Sequence, residues 1–130
     1  MTVTPLYAGA LAIWFAVLSL RVIQGRVGPA GPSLGDGGDA AMLRRIRGHA
    51  NFAEYVPLIL VLMALLELNG EPKWVLHALG STLLVARLLH GYAFSFTQQF
   101  APGRTGGAVL TLVLLLVSGA MCLRAGLAAL

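Results

Sequence analysis

Four stretches of this chain are too apolar, over too great a length, to be organised by water: about Pro5 to Ile23, Met42 to Leu68, Trp74 to Phe96 and Gly106 to Leu127. Each is close to the roughly 20 residues that a helix needs to cross a hydrocarbon core of about 30 Å. They are continuous Leu, Ala and Val runs without the alternation of a membrane-barrel strand, so they are expected to be helices. Only 11% of the 130 residues are charged, against about 25% in a soluble domain, and the mean hydropathy is +0.82. The expectation is an all-α protein, one domain over residues 1–130, built as an integral-membrane four-helix bundle subunit.

Loop charge gives an orientation. Met1-Thr2-Val3 carries no positive leader and no clear cleavage site follows, so the first span is expected to stay in the mature chain. The first connection and its flanks hold Arg21, Arg26, Arg44, Arg45 and Arg47; the second holds only Lys73, with Glu67 and Glu71; the third holds Arg104. Positive charge on the inner side puts connections one and three in the cytoplasm and both termini outside it, with Arg124 in weak opposition. The net charge of +4 sits at membrane boundaries and not on a solvated face. Nucleic acid is therefore not an expected partner, whereas membrane lipids or a small anion are. Cys122 stands alone in an apolar run, and the three histidines lie on different segments, so no metal is expected.

The chemistry concentrates at the start of the second span. Arg44-Arg45-Ile46-Arg47-Gly48-His49-Ala50-Asn51-Phe52-Ala53-Glu54 runs straight into the apolar Tyr55–Leu66 segment. Ionisable groups at membrane depth are costly and tend to be functional. Arg44, Arg47, Asn51, Glu54 and Leu58 recur at helical spacing and share a stripe. Asp39 is placed to cap this helix, and Pro57 removes one of its hydrogen bonds. The loop Val27 to Ala40 is rich in Gly and Pro and is expected to be irregular. The following Glu67–Pro72 turn reads as purely connective. Arg87, deep in the third span, needs an anion, for which Glu54 is the best candidate. Arginines with one carboxylate and one amide suit a zwitterionic, net-anionic ligand, because guanidinium forks grip carboxylates. A thiol on such a ligand would be favoured as thiolate, and a lipid-dissolved electrophile could reach it laterally. The alternative is a purely structural network in which Arg47 and Glu54 pair.

The run Arg47-Gly48-His49-Ala50-Asn51-Phe52-Ala53-Glu54-Tyr55-Val56-Pro57 resembles the signature of the MAPEG superfamily, membrane-associated proteins in eicosanoid and glutathione metabolism. The resemblance extends over nearly the whole chain. It implies a homotrimer of four-helix subunits that binds glutathione, as co-substrate, between neighbouring subunits near the cytosolic face. Arg26, Arg47, Asn51, Glu54 and Tyr55 match its glutathione-contacting positions, and Arg87, His90 and Tyr92 fall in the region of the third span that completes such sites. Arg104, just after Ala101-Pro102, matches the arginine implicated at the thiol in prostaglandin E synthase-like members. Gln99 stands where leukotriene C4 synthase-like members carry their activating arginine. The implied activity is that of a glutathione transferase or peroxidase acting on a lipophilic electrophile, and the short loops suggest a bacterial inner-membrane member. The alternatives are a non-catalytic membrane protein that binds glutathione or lipid, and a small proton-coupled exporter. The arginines beside Glu54 argue against the exporter.

Overall fold

The computed structural model describes every residue except Ala30; the rest of the loop before Ala40 is irregular, as expected, and that one position lies outside the described residues. The described chain forms four helices: α1 (Val3–Arg26), α2 (Ala40–Leu68), α3 (Lys73–Ser95) and α4 (Ala101–Ala128). Local chemistry sets their ends. Asp39 accepts the Ala41 amide at 2.9 Å and caps α2 as expected. The helix then continues through Pro57 without interruption. α4 begins at Ala101 rather than near Gly106, because Pro102 lies in its first turn, where a missing N–H leaves no bond unmade. Arg104 is therefore a helical residue of the first turn, not a loop residue.

Helix α3 touches the other three, whereas α1 and α4 do not meet. Pairings of Tyr7 with His77 and Arg21 with Ser95 show that α1 and α3 run parallel. Those of Ser19 with His49 and Val3 with Glu67 show that α2 runs against α1, and so against α3. Leu11, Leu18, Ile59, Met63, Leu66, Leu76 and Leu83 fill the interior. Phe15 stacks on both His49 and Phe52, with centroids 4.6 and 5.0 Å apart. Close approach depends on small residues. A Cβ at Gly48 would lie 2.7 Å from the Phe94 Cβ, and one at Gly107 would lie 2.6 Å from the Ala86 carbonyl oxygen.

Large apolar side chains, among them Ile13, Leu116 and Leu123, cover the outside, as a bundle solvated by lipid requires. Three helices, α1, α2 and α4, are long and apolar enough to cross a membrane. α3 has the length without the apolarity, because Arg87 and His90 lie within it; both are enclosed by the bundle.

The end of the bundle away from most of the arginines is more than connective. The Glu67 carboxylate accepts the amides of Thr2, Val3 and Thr4, the last two at 2.8 Å each. It thereby satisfies the orphan donors and the positive dipole end of α1. Arg124 of α4 pairs with Glu71 beside it.

Candidate functional site: an arginine-lined end of the bundle

Helix direction places the end of α1, the start of α2, the end of α3 and the start of α4 together, so nearly all the arginines gather at one end. Arg87 stands deepest and is only 1% exposed. Its Nη1 donates to Asn51 Oδ1 at 2.9 Å and its Nη2 to the Gly107 carbonyl at 3.2 Å. Trp14 Nε1 donates to the carbonyl of Arg87 itself at 3.0 Å. Glu54 is not its partner: that carboxylate is exposed and forms no ion pair among the described residues. The reason is rotation about α2. The buried line of this helix is Gly48, Phe52, Val56 and Ile59. Asn51 and Tyr55 flank that line, while Arg47, Glu54 and Leu58 face outward. A neutral amide and a backbone carbonyl therefore solvate the guanidinium, and the pairing of Arg47 with Glu54 is also absent.

Two cavities open around this arrangement. The smaller, about 50 Å³, is lined by Asn51, Tyr55, Arg87, Ala108, Thr111 and Leu112. The Tyr55 hydroxyl makes no hydrogen bond among the described residues. The larger, about 370 Å³, is lined chiefly by Arg44, Phe94, Gln98, Gln99, Phe100 and Arg104. The Arg104 guanidinium carbon lies 5.9 Å from the centroid of the Phe94 ring. No carboxylate lines this second space, so two cations and two carboxamides face it uncompensated. Such a set holds an anion through charge-assisted hydrogen bonds.

The remaining expected residues are dispersed. Arg26 donates to the carbonyls of Pro32, Ser33 and Gly35 at 3.2–3.3 Å and organises the first loop. His90 is enclosed against Phe94, with ring centroids 4.7 Å apart, and lies beside Gly107. Tyr92 stacks on Phe96 on the side of α3 that faces α1. Neither lines either cavity. The structure thus brings together Asn51, Tyr55 and Arg87, sets Arg104 in the adjoining cavity, and presents Arg47 and Glu54 on the outer face of α2. Sequence reasoning placed Arg44 on the polar stripe without assigning it to a site, and did not single out Phe94, Gln98 or Thr111. Thr111 carried a signal one turn beyond Gly107, whose carbonyl its hydroxyl shares with Arg87. The other two carried none that composition or spacing reveals.

The MAPEG family model matches residues 4–124. The chain is similar to inner membrane protein YecN of Escherichia coli K12, at 36% identity over 115 residues, which cover 88% of this chain and 86% of the relative. The protein of the same name from Escherichia coli O6:H1 matches to the same extent. No solved structure matches the chain.

Proposed function

The chain belongs to the MAPEG family, and from that premise we propose that it binds glutathione at the arginine-lined end and joins it through its sulfur to lipophilic electrophiles or uses it to reduce hydroperoxides. The observation that carries this reading is the uncompensated outer stripe of α2. Arg47 and Glu54 stand exposed and unpaired, beside Asn51 and Tyr55, against the knot that Arg87 ties. A zwitterion satisfies both charges: its carboxylate goes to Arg47 and its ammonium or amide N–H to Glu54. Arg87 occupies the Asn51 oxygen, which leaves the Asn51 amide N–H₂ free to donate. The cavity lined by Arg44 and Arg104, about 370 Å³, falls at the lower end of the usual range for ligand sites, roughly 300–1,000 Å³.

In the transferase direction Arg104 stabilises the thiolate after its proton passes to solvent. The sulfur then bonds to an electrophilic carbon, and the leaving group departs with its electron pair. With a hydroperoxide, the thiolate attacks an oxygen and the O–O bond breaks. The alkoxide takes a proton to give the alcohol. A second glutathione reduces the sulfenic product to disulfide and water. The reading includes a homotrimer whose outer α2 stripes lie at subunit boundaries. It also includes four passes through a bacterial inner membrane, with both termini outside the cytoplasm.

The test is a glutathione titration of the detergent-purified protein, followed by heat and by the ultraviolet absorbance of the thiolate. Arg47→Ala and Glu54→Gln are each expected to weaken binding by about tenfold, the scale of one charge-assisted contact. Arg104→Gln is expected to remove the thiolate absorbance while leaving most of the binding. Unchanged affinity in both α2 variants would overturn the assignment.

A further inference from the structure

A third cavity, about 170 Å³, lies between the end of α1, the start of α2 and the end of α3. Arg21, Arg44 and Arg45 line it together with Ser95, Phe96 and Gln98, and no carboxylate does. Two of the arginines are held in place by neutral acceptors. Arg21 Nη2 donates to the Ser95 carbonyl at 3.0 Å and Nη1 to Gln24 Oε1 at 3.1 Å, while Arg45 Nη1 reaches the Arg21 carbonyl at 3.4 Å. Their charges stay uncompensated, because the one ion pair among the described residues, Arg124–Glu71, is at the opposite end of the bundle. Ser95 is buried, and its hydroxyl has no partner; the Arg21 Nε is likewise buried and unpartnered. Two held cations, Arg21 and Arg45, and a third, Arg44, thus line one small space.

We infer that this cavity binds the phosphate of an anionic phospholipid headgroup. Guanidinium forks match phosphate oxygens. A phosphate group, the size of a few waters at roughly 30 Å³ each, fits the volume. The neighbours of these arginines favour a lipid over a dissolved anion, because Leu20, Ile23 and Leu43, next to Arg21 and Arg44, are large exposed apolar side chains that acyl chains would cover. Basic clefts between helices at a membrane boundary are where anionic headgroups lodge. The site is separate from the outer stripe of α2; Arg44, Phe94 and Gln98 form the wall between this cavity and the one lined by Arg104, while Arg21 and Arg45 border this cavity and not that one.

Trp14 supplies the reporter, since it stacks on Phe96, with centroids 6.2 Å apart, and Arg21 lies over the same Phe96 ring at 4.6 Å. The full chain carrying Trp74→Phe, in neutral detergent and without glutathione, is titrated with short-chain phosphatidylglycerol, short-chain phosphatidylcholine and inorganic phosphate. Trp14 fluorescence and native mass spectrometry read the binding. Phosphatidylglycerol is expected to bind at least about tenfold more tightly than phosphatidylcholine or phosphate. Arg45→Gln and, separately, Arg21→Gln are expected to remove most of that preference, and Arg124→Gln at the far end to leave it unchanged. Equal binding of the two lipids overturns the proposal in the unaltered protein, whatever the variants do to folding. Phosphate binding as tight as phosphatidylglycerol replaces the lipid with a dissolved anion and overturns the lipid assignment. Undiminished preference in both arginine variants moves the site elsewhere.

Discussion

At the scale of single residues, Arg87 shows how a cation is kept inside an apolar bundle without a counter-ion. Its solvation shell is an amide from α2 and a carbonyl from α4. Arg87→Met fills similar space but leaves the Asn51 oxygen without its donor, while the Gly107 carbonyl keeps the Thr111 hydroxyl, so it is expected to lower stability by about 1–3 kcal/mol. The same change frees the Asn51 side chain and is expected to weaken glutathione binding. Arg87→Met and Asn51→Ala act on one contact, so their combined effect should depart from additivity by at least about 0.5 kcal/mol. Unfolding of the four chains in micelles measures this, and simple additivity would mean that Asn51 does not receive the charge. That Arg87 required a partner was legible in the sequence; which partner was not. Asn51 and Glu54 share one stripe, and the choice between them follows from the rotation of α2, which Phe52, Val56 and Ile59 set by turning inward. Arg47 and Glu54, by contrast, were legible as a polar face because an exposed stripe depends on periodicity alone.

Elements are fixed by their ends and by the small residues between them. Gly107 brings α4 so near α3 that an added Cβ would crowd the Ala86 carbonyl and, at 3.0 Å, the His90 amide nitrogen. Both are backbone atoms that cannot step aside. Gly107→Ala should therefore cost about 1–3 kcal/mol through overpacking. The adjacent Gly106 has nothing within 4 Å of such a Cβ, so Gly106→Ala should stabilise α4 by up to about 1 kcal/mol through helix propensity. Paired thermal melts decide between the two, and an equal response from both would refute the close approach. At the other end, Glu67→Gln is expected to loosen the α1 start and to speed hydrogen exchange at Val3 and Thr4. The four helices were readable from hydropathy and the α2 cap from Asp39. The early start of α4 was not, because Ala101-Pro102-Gly103 reads equally as a turn until Pro102 is seen in the first turn. Glu67 escaped notice because its partners lie more than sixty positions away in the chain.

For the whole molecule, the difference in charge between the two ends is the feature most directly inherited from the sequence: arginines gather at one end, while Glu67, Glu71, Lys73 and Arg124 share the other. In the proposed four-pass arrangement the α2–α3 turn and the α3–α4 connection lie on opposite sides of the membrane. In a Cys122→Ala background, Asn69→Cys is expected to react with an impermeant thiol reagent from outside the cell, and Gln98→Cys only after the membrane is opened. Labelling of both from one side would mean that α3 does not cross. The way Arg87 is held also bears on how the protein is made. A guanidinium halfway along α3 is costly in lipid without a partner, and one of its two receivers, the Gly107 carbonyl, belongs to the segment translated after it. The third helix is therefore expected to reach its final depth only once the fourth has packed against it.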